Sequence, residues 1–391
     1  MISMKKKVNI TRQVFKHQRV ILASVFSFIF GSLVTVNFAQ INKTCKLDDT
    51  DREYNIMKNS KLKSDELVVL IFSAPDNLSK RNAIRSTWLQ FQQLEVSLYT
   101  FTHYFVIGKP SRSAKKYDHI VEEQSFYKDI LLLPMYDGYN NLTEKVLRSF
   151  VWLKEQRDFG FNFKYVLKCD DDSFVRVYDI LHEISGIENF YLNPHVKFRD
   201  PNNDSFSRFL SANLQINKNV KIKKDMNLYW GYFTGNTKLK KSGKWKEEEW
   251  MLCDYYLPYA LGGGYVLSAD LVLYIANNAD TLRQYNSEDV SVGTWLAPVT
   301  NTVRIHDVRF DTEWISRGCQ NYYLLIHHVS EKQMHEFYYN MLTTGHLCTN
   351  ESLIRIPYLY DWKKPNSECC MKTEKKGSLL DNIKSFFPVP N

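Results

Sequence analysis

The stretch KYVLKCDDDSFVRV (164–177) joins an apolar run to three consecutive carboxylates. The segment FKYVLKC (163–169), which overlaps its start, has the length and composition of a buried strand, and Asp170 to Asp172 follow directly. Because like charges repel, three adjacent carboxylates need a physical reason. One is a turn in which Asp172 or Ser173 caps the helix that follows. The other is a divalent metal ion, since Mg²⁺ and Mn²⁺ are bound by hard oxygen ligands.

Strand-like and helix-like segments alternate on both sides of this stretch. Besides 163–169, apolar runs predict strands at 66–74, 103–108, 129–134, 228–235, 259–268 and 321–329. Helices are predicted after N-cap Ser79, at 141–157, and at 330–342 behind a capping box of Ser330 and Gln333. This alternation predicts an α/β fold, a mostly parallel sheet covered by helices. Ligands bind outside the carboxyl ends of such strands, which is where the three aspartates lie.

The N-terminal region predicts a membrane anchor. Residues 20–39 carry no charge, and 20 helical residues span about 30 Å, enough to cross a bilayer. The preceding residues 1–19 are basic, which predicts a cytosolic tail and a C-terminal part in the lumen or outside the cell. A cleaved signal peptide is the alternative, but its apolar core would be shorter. Residues 40–64 are predicted to form a polar stem, 65–362 the catalytic domain and 363–391 a C-terminal tail.

Composition limits the class of protein and its partners. The 391 residues are 44% hydrophobic and 24% charged, which is typical of globular domains. The net charge of +8 is spread along the chain without an aromatic-interleaved basic run, so no nucleic-acid partner is expected. Seven cysteines leave at least one unpaired in an oxidising compartment; Cys45 could link two chains as a homodimer, and Cys169 is expected to be a buried thiol. Lumenal glycosylation sequons occur at Asn42, Asn77, Asn141, Asn203 and Asn350.

Four further stretches carry groups of chemical interest. Arg81 and Arg85 lie four residues apart on one predicted helix, where they could bind phosphates or form a solvated basic face. Lys145 begins a helix, and Gly262 to Gly264 could allow a close approach of the backbone to a substrate. Glu288 and Asp289 open a short helix, where they could serve chemistry or complement the helix dipole.

Together these stretches resemble the β-1,3-glycosyltransferase family, inverting enzymes of the GT-A fold classed as glycosyltransferase family 31. The similar segments are RNAIRSTW, YFVIG, YNNLTEKV, KCDDDSFV, YALGGGYVLS, EDVSVGTWL and HHVSEKQMHEFY, which occur in the family's order over about 66–342. The resemblance implies a Rossmann-like mixed sheet flanked by helices, behind a single-pass type II anchor in the Golgi membrane. Cys169 departs from the family, which has Thr or a small residue there.

The resemblance also implies a donor, an acceptor and a set of site residues. UDP-galactose would be the donor, and Mn²⁺ would be held by Asp170, Asp172 and His327. A strand histidine without a metal remains the alternative for His327, and His328 would face the other side of that strand. Asp289 would be the catalytic base, with Glu288 as its neighbour on the acceptor side.

Weaker assignments complete the implied site. The donor would contact Arg81, Arg85, Lys145 and Asp171, while Trp230 and Tyr265 could stack on sugar faces. Segments of the C-terminal half, among them NSEDVSVGTWLAPV and YLYDWKKPNSECC, are similar to members that add the second galactose of the Xyl-Gal-Gal-GlcA linker on proteoglycan core proteins. An N-glycan or glycolipid acceptor, a catalytically silent sugar-binding membrane protein, and a hydrolase with paired carboxylates remain alternatives.

Overall fold

A computed structural model of the chain describes residues 64–94, 99–110, 114–192, 214–215 and 227–370. The predicted cytosolic tail, membrane span and nearly all of the stem lie outside these residues, as do Cys45, Asn42 and Asn203. Within the described ranges, no helix is both long enough and apolar enough to cross a bilayer.

The described residues contain one large sheet and two small ones. The strands are β1 (Ser64–Phe72), β2 (Phe101–Lys109), β3 (Ile130–Tyr136), β4 (Asn162–Asp170), β5 (Phe174–Val175), β6 (Leu214–Gln215), β7 (Asn227–Thr234), β8 (Tyr259–Ser268), β9 (Thr302–His306), β10 (Phe310–Asp311), β11 (Gly318–Cys319), β12 (Leu325–Ile326) and β13 (Ser352–Leu353). The large sheet has the order β3-β2-β1-β4-β8-β7-β9-β6, and the small ones are β10-β12-β5 and β11-β13.

The large sheet is parallel on one side and mixed on the other. Strands β1 to β4 pair in parallel, whereas β8 is antiparallel to both β4 and β7. Residues 67–71 of β1 are all fully buried, so both faces of this central strand are covered. The predicted α/β fold is confirmed, and the mixed sheet fits a GT-A-like arrangement.

Eight α-helices connect and cover these strands in the described part of the chain. They are α1 (Leu78–Arg85), α2 (Phe91–Leu94), α3 (Ala114–Tyr127), α4 (Leu142–Asp158), α5 (Val177–Leu192), α6 (Ala269–Asn277), α7 (Glu288–Leu296) and α8 (Glu331–Thr344). Short 3₁₀ turns lie at Trp88–Gln90 and Tyr139–Asn141. Alternate residues of β1 join α1, α5 and α8 in one apolar core, represented by Ile71, Ile84, Ile180 and Met334.

Three local predictions differ from the structure. Helix α1 begins at N-cap Asn77, so Ser79 lies in its first turn instead of at the cap. The predicted strand 321–329 pairs only at Leu325–Ile326. No helix follows the aspartates directly, because the two-residue strand β5 comes first and neither Asp172 nor Ser173 is a cap. The capping box of Ser330 and Gln333 is confirmed.

The C-terminal part of the described chain packs against the rest of the domain. A disulfide joins Cys319 to Cys348 beside β11, and Cys369 is bonded to its neighbour Cys370. Cys169 is fully buried as a free thiol, as predicted. Asn366, in the segment predicted to be a tail, accepts a hydrogen bond of 2.7 Å from Asn236 N. Residues 363–370 therefore contact the domain.

Candidate active site

A cavity of about 1160 Å³ lies at the carboxyl ends of β1 and β4. Phe72, the last residue of β1, is paired with Asp170, the last residue of β4. The chain order reverses at this point, since β2 and β4 flank β1, and such switch points are where open α/β sheets bind ligands. Most of the predicted functional residues line this cavity: Lys145, Asp170, Asp171, Asp172, Glu288, Asp289 and His327.

One wall of the cavity carries a cluster of carboxylates and imidazoles. Strands β5 and β12 pair antiparallel with Phe174 opposite Ile326, which brings the residues just before β5 next to those just after β12. His327 Nε2 consequently lies 3.1 Å from Asp172 Oδ1 and 3.4 Å from Asp170 Oδ2. Val329 N donates to Asp172 O at 2.8 Å and closes this turn.

His328 does not point away from this cluster, contrary to the prediction. The strand ends at Ile326, and His328 has a left-handed φ of 60°, so the alternation of side chains expected for a strand stops here. The rings of His327 and His328 are 3.9 Å apart, and His328 Nδ1 lies 3.9 Å from Asp172 Oδ2.

The cluster fits a divalent metal ion. One ligand atom each from Asp172, His327 and His328 lie within 4.8 Å of one another, and Asp170 adds a second carboxylate against His327. His327 Nδ1 is buried and has no hydrogen-bond partner among the described residues. Carboxylate oxygens suit a hard divalent cation, and Asp170, Asp172 and His327 are the residues that would hold it.

Neighbouring charges in this wall shift the pKa values of its histidine and carboxylates. Burial lowers the pKa of His327, but its bonds to Asp170 and Asp172 outweigh burial and raise the pKa to about 9. Burial of Asp170 would raise its pKa, but Lys168 and His327 hold the pKa well below the usual range. The carboxylates are therefore ionised, which is the form that binds a cation.

Lys168 connects this wall to β8 and to the start of α7. Its buried ammonium donates to Asp170 Oδ1 at 2.8 Å, Gly262 O at 2.5 Å and Glu288 Oε1 at 2.7 Å. Burial raises the pKa of Glu288 to about 7, although Lys168 opposes this. Lys168 is the common counter-ion of two carboxylates from distant parts of the chain.

Asp289 presents a carboxylate at the N-terminus of α7. Its Oδ2 accepts from Gly262 N at 3.0 Å, and its Oδ1 accepts from its neighbour Val290 N at 2.9 Å. Burial raises the pKa of Asp289, while these two N–H groups oppose the shift. No cationic side chain in the described residues lies within 4.0 Å of Asp289, so this carboxylate remains available to accept a proton.

Lys145 and Asp171 line the cavity but are already bonded. The Lys145 ammonium donates to Ser73 O at 2.6 Å and to Asp137 at 2.8 Å. Asp171 accepts from Asn77 Nδ2 at 2.7 Å and from Lys80 at 3.1 Å. Both residues line the cavity, and a sugar donor that contacts them would compete with these hydrogen bonds.

A known protein family matches the sequence of this chain from α1 to just after β9. A family model described as Galactosyltransferase matches residues 79–308 of the chain. The chain belongs to the galactosyltransferase family. The matched region includes β4 with its aspartates and α7 with Asp289, whereas His327 lies beyond its end.

Individual galactosyltransferases show how far the similarity extends. Beta-1,3-galactosyltransferase 6 of Mus musculus is 42% identical over 309 residues, which cover 79% of this chain and 83% of that protein. Hydroxyproline O-galactosyltransferase GALT5 of Arabidopsis thaliana is 29% identical over 69% of this chain and 34% of its own length. UDP-GalNAc:beta-1,3-N-acetylgalactosaminyltransferase 2 of Xenopus tropicalis is 30% identical over 47% of this chain and 30% of its own length.

Arg81 and Arg85 do not line the cavity of this galactosyltransferase, contrary to the predicted donor contacts. Arg81 is 1% exposed and forms a two-point ion pair with Glu123 at 2.8 and 2.6 Å. Arg85 forms an equivalent pair with Asp129 at 2.7 and 2.8 Å. Both guanidinium groups are satisfied by carboxylates of the fold, so they stabilise the packing of α1 instead.

Trp230 and Tyr265 are also absent from the cavity lining, so the structure does not support their predicted contacts with sugars. Both are fully buried, because they lie in the interior strands β7 and β8. The Trp230 indole donates to Asp307 at 2.9 Å, and the Tyr265 hydroxyl donates to Glu288 Oε2 at 3.0 Å. Tyr265 thus supports Glu288 from behind.

The three glycines of β8 approach protein side chains. A Cβ on Gly263 would lie 2.7 Å from the His327 ring, and one on Gly262 would lie 2.7 Å from Glu288 Oε1. Neither Lys168 nor Lys80, which also lies 3.5 Å from Asp172, was predicted to belong to the site. The available signal was a lysine two positions before the first aspartate, between the apolar residues Leu167 and Cys169.

The three described sequons differ in accessibility. Asn350 is exposed in a turn, and Asn141 donates to Tyr136 O at 3.1 Å at the surface. Asn77 lines the cavity, and its amide nitrogen is the group that donates to Asp171. A glycan on Asn77 would displace that bond, so Asn350 is the most favourable of the three for modification.

Proposed function

We propose that this protein is an inverting β-1,3-galactosyltransferase with galactosylxylosylprotein 3-β-galactosyltransferase activity. It moves galactose from UDP-galactose to the 3-hydroxyl of Gal-β-1,4-Xyl on proteoglycan core proteins. The observation that carries this proposal is that Asp289 and the aspartate–histidine cluster line the same cavity. The 42% identity to beta-1,3-galactosyltransferase 6 over most of both chains supports the reaction.

The reaction is a single displacement at the anomeric carbon. The acceptor 3-oxygen forms a bond to that carbon, the bond to the UDP oxygen breaks, and its electron pair leaves with UDP. Asp289 takes the proton of the acceptor hydroxyl, as the base of an inverting glycosidase takes one from water. Attack opposite the leaving group converts the α-linked donor into a β-linked product.

Residues around the base and the donor orient the reactants. The N–H groups of Gly262 and Val290 hold the Asp289 carboxylate in one orientation, which reduces the reorganisation needed for proton transfer. Asp170, Asp172 and His327 would hold Mn²⁺, which when bound supplies positive charge for the leaving diphosphate. Lys168 balances the negative charge of Asp170 and Glu288.

The proposed location follows from the N-terminal sequence. A basic segment before an uncharged run at 20–39 supports a single-pass type II protein of the Golgi membrane with a lumenal catalytic domain. The exposed sequon at Asn350 is consistent with this compartment. Enzymatic removal of N-glycans from the cell-expressed chain should increase its gel mobility, and an unchanged mobility would count against the location.

The direct test is an assay of the full-length chain in detergent with UDP-galactose, Mn²⁺ and a Gal-β-1,4-Xyl acceptor. We expect a β-1,3-linked product, no product after chelation, and recovery when Mn²⁺ is restored. Asp172→Asn should abolish turnover, whereas Asp158→Asn, on an exposed carboxylate at the end of α4, should have no effect. Full activity in chelator or in Asp172→Asn would exclude the proposed metal site.

The alternatives are separated by the same assay. Transfer to an N-glycan or glycolipid acceptor, and none to Gal-β-1,4-Xyl, would keep the chemistry and replace the acceptor. Release of a sugar without UDP-galactose would indicate a hydrolase. Binding of sugars without any turnover would indicate a silent sugar-binding protein.

A further inference from the structure

Three aromatic side chains lie together at the mouth of the active-site cavity. Tyr139, Trp245 and Trp314 all line it, and they are 42%, 36% and 65% exposed. The ring centroids of Tyr139 and Trp245 are 6.4 Å apart, and those of Trp245 and Trp314 are 5.6 Å apart. Buried tryptophans such as Trp88 and Trp230 serve the core, but these three rings remain open to solvent.

The ammonium of Lys244 lies over the faces of these rings. Its Nζ is 3.8 Å from the Tyr139 centroid, 4.9 Å from that of Trp245 and 5.9 Å from that of Trp314. Cation–π attraction stabilises this position. Among the described residues, no carboxylate forms an ion pair with Lys244 within 4.0 Å. Its N–H groups therefore remain available to a ligand that enters the cavity.

The main chain around Trp245 is hydrogen-bonded to the segment just before α7, the helix that carries Asp289. Asn286 Nδ2 donates to Lys244 O at 3.0 Å and to Lys246 O at 3.2 Å, so it holds the main chain on both sides of Trp245. Asn286 itself lies just before α7, which begins with Glu288 and Asp289. Burial, together with the negative charge of Asp289, raises the pKa of the Tyr139 hydroxyl to about 12, despite a bond with Trp245 that lowers it.

The opposite edge of the aromatic group contacts His328, the neighbour of a proposed metal ligand. The Trp314 ring packs edge-on against His328 with centroids 4.5 Å apart, and His328 lies beside His327. The aromatic group thus contacts both the segment before α7 and the histidine next to His327.

We propose that Tyr139, Trp245 and Trp314 form the binding surface for the terminal galactose of the acceptor, with Lys244 donating hydrogen bonds to its hydroxyls. This inference rests on the proposed function, because it names the residues that hold the acceptor for that reaction. A pyranose has an apolar face of C–H groups and a polar rim of hydroxyls. Aromatic ring faces are complementary to the apolar C–H face, and the Lys244 ammonium is complementary to the hydroxyls. Small-molecule sites usually combine apolar or aromatic walls with a few polar groups in this way.

Two matched substitutions test the surface. Trp314→Ala removes the most exposed ring, and Phe159→Ala removes a ring that is 67% exposed but lies outside the cavity. The test is to measure the binding of Gal-β-1,4-Xyl by calorimetry in the presence of UDP and Mn²⁺. The KM values for acceptor and donor are determined separately. Trp314→Ala should weaken acceptor binding about tenfold, from the usual value of an aromatic contact, and leave the donor KM unchanged. Phe159→Ala should match the wild type.

Conservative variants separate a binding role from a structural one. Trp314→Phe keeps a ring and should recover most of the affinity for acceptor. Lys244→Met keeps the apolar stem and should weaken acceptor binding less than Trp314→Ala. Thermal melts of all variants should coincide with the wild type, because the substituted rings are exposed.

The outcomes distinguish this inference from the proposed function. A wild-type chain that transfers galactose to Gal-β-1,4-Xyl, with acceptor KM and affinity unchanged in Trp314→Ala, would overturn the binding surface alone. A wild-type chain that neither binds nor uses the disaccharide would overturn both. An equal loss of donor and acceptor affinity in Trp314→Ala would show that the ring supports the fold of the cavity, and would also overturn the inference.

Discussion

Gly263→Ala should weaken the metal site without removing any ligand. A Cβ at this position would lie 2.7, 2.8 and 2.9 Å from three atoms of His327. Ordinary contact begins at 3.4 Å, so the imidazole would have to move by about 0.7 Å. Metal–ligand distances tolerate only about ±0.2 Å, so His327 could not keep its place beside Asp170 and Asp172. Changes in residues that orient a metal ligand typically cost about 10–100-fold in metal affinity.

The assay is a Mn²⁺ titration of galactose transfer by the full-length chain. Gly263→Ala should need about 10–100 times more Mn²⁺ for half-maximal turnover. Gly138→Ala is the matched control, because Gly138 also lines the cavity, has an extended φ of 177°, and would place its Cβ no closer than 3.9 Å to another atom. If Gly263→Ala and Gly138→Ala both keep the wild-type Mn²⁺ requirement, the role of His327 as a ligand is refuted.

The remaining predictions concern the base and its buried neighbours. Asp289→Asn keeps the shape of the side chain but cannot accept a proton, so turnover should fall about 10²–10⁴-fold while UDP-galactose binding by calorimetry stays near wild type; a parallel loss of donor binding would contradict the assignment. Glu288→Gln should lose less turnover than Asp289→Asn in the same assay. Lys168→Met leaves the carboxylates of Asp170 and Glu288 without their cation and should lower the free energy of unfolding, measured in urea, by about 3–5 kcal/mol. The double variant with Glu288→Gln should restore part of this loss, and additive losses would contradict the shared ion pair. Burial raises the pKa of Glu288 above its unfolded value, to about 7. The stability contributed by this group is therefore present at low pH and is lost as the pH rises through 7, and this loss should be larger in Lys168→Met.

Secondary structure was largely predictable because its signals are local. The strand at 259–268 was predicted with the bounds that the structure has, and the capping box at Ser330 lies where its sequence pattern placed it. The errors were local as well. The apolar run 321–329 has the composition of a strand, but only Leu325–Ile326 find a partner in β5 and β10. A run of suitable residues becomes a strand only where another strand offers hydrogen bonds.

The placement of the acidic residues at the cavity was predictable, and that of the two arginines was not. Asp170, Asp172 and Asp289 reach the cavity, because a strand end and a helix start expose their side chains in a defined direction. Arg81 and Arg85 had an equally suitable pattern, but Glu123 and Asp129 neutralise them. Which cation meets which anion depends on packing between elements that are far apart in the chain.

Three features could be read from the sequence alone: the α/β class, the carboxyl edge that carries the aspartates, and the helix that begins with Glu288 and Asp289. These depend on periodicity and on neighbouring residues, which a linear chain records directly. The contacts of Lys168, which bonds Glu288 across 120 residues of sequence, and the meeting of Tyr139, Trp245 and Trp314 in the cavity could be seen only in the folded protein. These residues lie far apart in the chain, and the packing of the whole fold brings them together.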